Sequence, residues 1–145
     1  LLNRRHTGAR PNIIKTRLQK LMNDYVGVVR NEEGLRNTIE EFERMINEDL
    51  PNMAIAEENP IGNYDWVEAL EVTSMVQLAK AMAGAALMRT ESRGAHFRED
   101  YPALDDKNWL KNIHIYQKRN DPSLIFDARA RKKAPEYEMA QKGSS

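Results

Sequence analysis

The residues best suited to chemistry lie in one short stretch of the chain, between Arg89 and Trp109. This stretch contains five side chains of the kinds that transfer protons or bind anions: Glu91, Arg93, His96, Arg98 and Asp100. In an enzyme, His96 or Glu91 would act as the general base, and an arginine would hold an anionic substrate. Such a site also needs a concave pocket, and a helical domain of this size has little room for one. We therefore interpret the stretch as a polar surface that docks on another protein surface.

We predict seven residues for this docking role: Arg89, Glu91, Arg93, His96, Arg98, Asp100 and Trp109. Arg89 and Arg93 are four residues apart near the end of a predicted helix. Positive charge there complements the helix dipole and can reach the carboxylates of a partner. Two alternatives are that these charges are solvated surface residues, or that the chain is a small independent enzyme that uses His96. We predict no catalytic, cofactor-binding or metal-binding residue in this chain.

Other kinds of site have little support in the sequence. The chain has no cysteine, and its three histidines are too far apart for a metal-binding pair on one helix. It also lacks a glycine-rich phosphate loop, a nucleophile elbow and a dinucleotide fingerprint. Basic and acidic residues are equal at 22 each, so no net field favours nucleic acid or an anionic membrane. For that reason we expect no nucleic-acid binding. No apolar run approaches the roughly 18 residues of a membrane span, so we also expect no direct membrane insertion.

Three helices would position the polar stretch. The three- and four-residue spacing of apolar side chains predicts helices over about residues 11–29, 31–51 and 63–89. Pro11 suits the first turn of the first helix, and Asn31 can cap the second. Small residues at positions 81 and 83–86 of the third helix would let another backbone approach closely, so this stretch should be packed on more than one side.

The predicted fold class is all-α. We expect an up-down three-helix bundle, similar to a spectrin repeat, with an irregular and partly β C-terminal extension. Residues 1–10 are interpreted as a linker from a preceding domain, residues 11–112 as the bundle with its charged segment, and residues 113–145 as an irregular basic tail. Alternating apolar residues near Ile113 and Phe126 give a weak hairpin signal. Residues 105–110 read as a short capped helical turn.

The charged stretch resembles a known protein family. The segment RTESRGAHFREDYPALDDKNWL is similar to the C-terminal signature of the succinate dehydrogenase/fumarate reductase flavoprotein subunit, and L-aspartate oxidase carries a similar stretch. Upstream, LQKLMNDYVGVVRNEEGL resembles the turn between the first two helices of the family, with Gly27, Arg30, Glu33 and Leu35 in place. The segment DWVEALEVTSMVQLAKAMAGAALMRTESRG resembles the third helix. The resemblance covers about residues 15–112, and the tail beyond Asn112 departs from the pattern.

The resemblance implies the C-terminal helical domain of a longer FAD-dependent oxidoreductase. In this family, hydride passes between the dicarboxylate and flavin N5, and electrons then go to an iron–sulfur subunit. The implied partners are the flavin-binding domain of the same protein and the iron–sulfur subunit, in a cytoplasmic complex peripheral to the membrane. The implied cofactor is FAD in the whole enzyme, with none bound by residues 1–145. The family's catalytic residues lie in preceding domains, so we expect this chain alone to be inactive.

Other identities stay open at this point. The chain could be a free-standing helical protein-interaction module, or the same domain of L-aspartate oxidase or of adenylylsulfate reductase. The motif Asp100-Tyr101-Pro102, followed by Asp105-Asp106-x-Asn108-Trp109, favours the succinate/fumarate branch.

Overall fold

The computed structural model describes residues 8–55, 64–117 and 123–131. In these ranges the chain is mostly helical, with two small two-stranded sheets. The elements in chain order are α1 (Pro11–Tyr25), β1 (Val29–Arg30), α2 (Glu32–Arg44), a π-helical turn (Met45–Asp49), a 3-10 turn (Leu50–Asn52), α3 (Tyr64–Met88), β2 (Phe97–Arg98), α4 (Asp106–Trp109), β3 (Lys111–Gln117) and β4 (Leu124–Ala130). None of the helices within the described ranges has the length and apolar character needed to cross a membrane.

Local signals in the sequence set the ends of the first two helices. Pro11 opens α1, where its missing N–H leaves no hydrogen bond unmade. The helix ends at Tyr25, earlier than the predicted end near Val29, because Val26 already leaves helical geometry and Val29 pairs in β1 instead. Asn31 caps α2 as predicted, and its Oδ1 accepts a hydrogen bond from the Gly34 N–H at 2.8 Å.

The three long helices enclose the hydrophobic core, and each of them packs against the other two. Their inner faces and the π-helical turn after α2 contribute fully or almost fully buried apolar side chains: Ile14, Leu18, Leu35, Phe42, Met45, Val72, Val76, Ala79 and Ala83. Burial of this apolar area is the main stabilising contribution for such a domain. The up-down, spectrin-like form of the bundle stays a prediction.

A short parallel sheet, which the sequence did not predict, joins the segment after α3 to the α1–α2 connection. In β1 and β2, Val29 lies opposite Phe97 and Arg30 lies opposite Arg98. The Phe97 N–H donates to the Val28 carbonyl at 3.0 Å, and the Glu99 N–H donates to the Arg30 carbonyl at 2.9 Å. This pairing brings the charged segment back to the start of α2.

The second sheet is an antiparallel hairpin of β3 and β4 that packs on α3. It occupies part of the tail predicted to be irregular and partly β, while the predicted turn residues 120–122 lie outside the described residues. Gly84 of α3 lies so close to the hairpin that an added Cβ would overlap the ring of Phe126. Ala83 and Ala86 are buried in the helical core, so this part of α3 is packed on two sides, as its small residues predicted.

Candidate functional site

The seven predicted docking residues lie together beyond the end of α3. We call this set the polar seam: Arg89, Glu91, Arg93, His96, Arg98, Asp100 and Trp109. Each member is linked to at least one other by a hydrogen bond or a ring contact. A tight turn folds the segment back: Arg93 and His96 exchange backbone hydrogen bonds of 2.8 and 3.0 Å. Gly94 inside the turn has a φ of 58°, a left-handed conformation that glycine adopts without steric cost.

Glu91 is the buried carboxylate of the polar seam, with 0% of its surface exposed. It accepts hydrogen bonds from Arg93 at 2.9 and 3.1 Å, from Arg89 at 2.5 Å and from the backbone N–H of Asp105 at 2.9 Å. Arg93 also donates to Asp106 at 2.6 Å. Chiefly because of the Arg93 hydrogen bond, the pKa of Glu91 falls from 4.5 to about 2, although burial opposes the shift. A carboxylate this acidic is a poor proton acceptor at neutral pH, so Glu91 is a structural anion and not a general base.

Arg98 is the buried cation of the polar seam and is also 0% exposed. Its guanidinium binds Asp100 through two hydrogen bonds of 2.7 Å. On the other side, Nη1 lies 2.9, 3.1 and 3.2 Å from the carbonyl oxygens of Ala86, Leu87 and Arg89. Carbonyls at the end of a helix have no partner within the helix and carry partial negative charge. Arg98 therefore caps the C-terminus of α3 with a positive charge.

Asp100 extends this link from α3 to α2. Its Oδ2 accepts a hydrogen bond of 2.9 Å from the N–H of Glu32, the first residue of α2. The hydrogen bond from Arg98 is the largest cause that lowers the pKa of Asp100, which keeps this carboxylate ionised. The Arg98–Asp100 pair thus joins the negative end of α3 to the positive end of α2, and each charge complements the helix dipole that it contacts.

His96 is held as a neutral imidazole between two fixed groups. Its Nδ1 lies 2.5 Å from Nη1 of Arg30, which can only donate, so Nδ1 is the acceptor. Its Nε2 lies 3.3 Å from the carbonyl of Arg89, and the ring proton is therefore assigned to Nε2. Burial, and next the charge of Arg30, lower the pKa of His96. Because its lone pair is already occupied by Arg30, His96 is not free to act as a general base.

Arg89 fixes the segment that leads into the hairpin. Its guanidinium lies 5.1 Å from the centre of the Trp109 ring, and it donates to the carbonyls of Trp109 at 3.1 Å and Lys111 at 2.7 Å. The Trp109 indole N–H in turn donates to the Thr90 hydroxyl at 2.9 Å. These contacts attach α4 and the start of β3 to the end of α3.

The structure brings all seven predicted residues together but changes the roles of several. Arg89 and Arg93 were expected to reach carboxylates of a partner, whereas both bind Glu91 of their own chain. The cation that complements the C-terminus of α3 is Arg98, from a later segment. Arg30 was not among the predicted site residues, although it contacts His96 directly. Its place in the GVVRNEEGL segment was the only sequence signal for it.

Comparison with known proteins shows the family. The family model described as fumarate reductase flavoprotein C-term matches residues 15–141. This chain belongs to that family. The match continues past Asn112, where the resemblance seen in the sequence stopped, so the hairpin lies within the matched part of this flavoprotein C-terminal domain.

Curated relatives and solved structures agree with this assignment. The succinate dehydrogenase flavoprotein subunit of Coxiella burnetii is 35% identical over 107 residues, which cover 74% of this chain and 18% of that protein. An uncharacterized FAD-dependent oxidoreductase of Methanocaldococcus jannaschii is 38% identical over 102 residues, or 70% of this chain and 18% of that protein. The Mycobacterium smegmatis Sdh1 complex in the apo form superposes with a TM-score of 0.79 at 27% identity, over 90% of this chain and 22% of that chain. This flavoprotein C-terminal domain thus spans about a fifth of the length of these proteins.

Proposed function

We propose that this domain packs and docks within a longer FAD-dependent flavoprotein that interconverts succinate and fumarate. In this proposal FAD and the catalytic residues belong to a preceding flavin-binding domain, to which residues 1–10 form the linker. Electrons pass to an iron–sulfur subunit, and the cytoplasmic complex is peripheral to the membrane. The family match and the names of the relatives support this assignment. The domain itself contributes structure and not chemistry.

The contacts of the polar seam support a structural role. Glu91 and His96, the two candidate bases, are both engaged in hydrogen bonds with arginines. In the proposal, the buried members Glu91 and Arg98 fix the shape of the seam, and its partly exposed members face the flavin-binding domain. The three-helix bundle, in its up-down form, is the rigid support for this surface. Buried charge pairs of this kind favour a defined orientation more reliably than they add stability.

The observation that carries the proposal is the outer face of α3. We use this name for four apolar side chains that lie on one side of the helix, opposite its buried face: Val67, Leu70, Leu78 and Met82. Between 46% and 63% of the surface of each is exposed. Large apolar side chains exposed together on one surface are typical of a site that contacts another protein surface. We therefore propose that the flavin-binding part of the same protein covers this face.

The test introduces a charge on the outer face of α3 in the full-length flavoprotein. Leu78→Asp should weaken domain docking by about 2–4 kcal/mol, because the carboxylate would be buried without a partner. We expect a lower midpoint of thermal unfolding and a lower content of bound FAD. The matched control is Asn37→Asp, which adds the same charge to the exposed side of α2.

The two variants separate docking from a general effect of charge. If the outer face of α3 is covered, Leu78→Asp should lower the flavin content and the unfolding midpoint, whereas Asn37→Asp should change neither. If both variants retain the flavin content and unfolding midpoint of the unmodified protein, the outer face of α3 is not covered and the proposal is wrong.

A further inference from the structure

Arg30 differs from the arginines of the polar seam because it has no anionic partner among the residues that the structure describes. Its Nε donates to the Gly27 carbonyl at 2.5 Å, and its Nη1 donates to His96 Nδ1 at 2.5 Å, so both acceptors are neutral. Within residues 8–55, 64–117 and 123–131, no carboxylate forms an ion pair with Arg30 and nothing accepts from its Nη2. In contrast, Arg89, Arg93 and Arg98 each have a carboxylate in contact.

The surroundings of Arg30 make this lack of an anion costly. The residue is only partly exposed, and burial lowers its pKa, followed by repulsion from Arg98. Both effects act against the charged form of the side chain. Removing a cation from water without a compensating anion destabilises the folded state, so an incoming carboxylate would gain an interaction that the described residues do not supply.

Exposed apolar side chains lie in and next to the β1–β2 pair that contains Arg30. Val28 and Val29 are 59% and 53% exposed, and Phe97, opposite Val29 in the β1–β2 pair, is 39% exposed. Arginine and aromatic residues are enriched at the centre of protein interfaces, where they supply much of the binding energy. The residue types in and beside the β1–β2 pair are therefore those typical of a protein interface, although Val29 and Phe97 lie on the opposite face of the sheet from Arg30.

We infer that Arg30 binds an aspartate or glutamate side chain from the flavin-binding part of the same flavoprotein. This inference rests on the proposed function and specifies the chemistry of one contact between the two domains. The sign of the charge identifies the occupant as an anion, since the hydrogen-bond acceptors of the guanidinium are neutral and the charge near it is that of Arg98. Four-fifths of the length of the relatives lies outside the part that this chain matches, which leaves ample surface to supply one. The free Nη2 gives the carboxylate a donor that no described residue uses.

Zero-length cross-linking of the full-length flavoprotein tests this contact. In the variant Arg30→Lys, a carbodiimide can join the introduced amine to a carboxylate that touches it. We expect mass spectrometry to find position 30 linked to an aspartate or glutamate outside residues 1–145. The matched control is Arg36→Lys, because Arg36 lies 2.6 Å from Glu32 within α2 and should give a link inside the helix.

Two outcomes of the cross-linking overturn the inference. One is a link from position 30 only to a carboxylate of this domain, such as Glu99. The other is no link at position 30 while the control gives its link to Glu32.

A rate measurement distinguishes this inference from the proposed function. Arg30→Gln in the full-length flavoprotein should increase the rate of proteolysis between this domain and the rest of the protein about tenfold, because one partner of a buried charge pair is removed. Arg36→Gln should leave the rate unchanged. If Arg30→Gln also leaves it unchanged while Leu78→Asp raises it, the domain docks but Arg30 has no carboxylate partner. If Leu78→Asp has no effect and Arg30→Gln does, the Arg30 contact stands and the role of the outer face of α3 is wrong.

Discussion

The polar seam follows the C-terminus of α3, and the outer face lies on α3 itself. The two regions differ in how many of their side chains are in contact with other residues of this chain. In the seam, Glu91 and Arg98 have no exposed surface, and their hydrogen-bonding groups contact residues of the same chain. On the outer face, large apolar side chains such as Leu78 stay exposed. The buried members of the polar seam therefore support the fold of this domain, while docking by its partly exposed members stays a prediction. Apolar side chains that the domain leaves exposed are a second guide to a docking surface.

The physical reason is that forming a buried ion pair changes the stability little, whereas removing one of its partners lowers the stability strongly. Burying two charges costs nearly as much solvation free energy as their attraction returns, so the intact pair adds little. Removal of one partner leaves the other buried and uncompensated, which is costly. Substitutions in the polar seam should thus destabilise this domain itself, whereas substitutions on the outer face of α3 should act on docking alone.

The largest effect is expected for Arg98→Met. This change removes the hydrogen bonds to Asp100 and to the last carbonyls of α3, and it leaves Asp100 partly buried without its cation. We expect a loss of about 3–5 kcal/mol in the free energy of unfolding, measured by urea denaturation. Arg129→Met, which breaks the exposed pair with Asp127, should have no measurable effect. If Arg98→Met and Arg129→Met changed the free energy of unfolding equally, buried and exposed ion pairs would not differ in their effect on this domain.

Glu91→Gln should have the next largest effect. The amide keeps the shape of the side chain but loses the charge that binds Arg89 and Arg93, at a cost of about 1.5–3 kcal/mol near neutral pH. The pKa of Glu91 is about 2 in the folded state, below its ordinary 4.5. Its stabilisation is therefore full above pH 4.5 and disappears as the pH falls toward about 2. Denaturation curves of both proteins across this range should converge at the acidic end, and a constant difference would contradict the assignment.

A smaller, pH-dependent effect is expected from His96. Its pKa in the folded state lies below the ordinary 6.5, so the unfolded chain binds a proton more readily. The free energy of unfolding should therefore decrease as the pH falls below 6.5, until His96 is also protonated in the folded state. In His96→Gln this decrease should be reduced, as followed by denaturation between pH 5 and 8. An identical pH dependence in both proteins would show that folding does not lower the pKa of His96.

The smallest effect on this domain is expected for Leu78→Asp. Because Leu78 is 63% exposed, the substitution should change the free energy of unfolding of residues 1–145 by less than about 0.5 kcal/mol. The same variant should impair docking in the full-length flavoprotein. Strong destabilisation of residues 1–145 themselves would mean that Leu78 supports the fold directly, and the comparison between the two regions would fail.

The sequence predicted the helices well because their signals are local. The third helix was expected from residue 63 or 65 to about Arg89, and α3 runs over Tyr64–Met88. Apolar spacing within the segment decides where such a helix forms. The parallel pair β1–β2 was missed because each strand has two residues, and its pairing joins segments almost 70 positions apart.

The location of the candidate site could also be predicted from the sequence, but its contacts could not. Residue types identified the seven members of the polar seam. No spacing rule, however, shows that Arg98 turns back to the carbonyls of α3, or that Glu91 lies between Arg89 and Arg93. Arg30 was missed for a related reason: its importance comes from having no carboxylate in contact among the described residues, which the order of residues does not reveal.

The central claim is that the buried charges of the polar seam are hydrogen-bonded within this chain, whereas another part of the flavoprotein covers the outer face of α3. Oxidative footprinting of Met82 tests this claim most directly. Met82 is 46% exposed in this domain, so hydroxyl radicals should oxidise it readily in residues 1–145 alone. In the full-length flavoprotein we predict that its oxidation rate falls at least several-fold. Equal rates of Met82 oxidation in the two proteins would contradict the account.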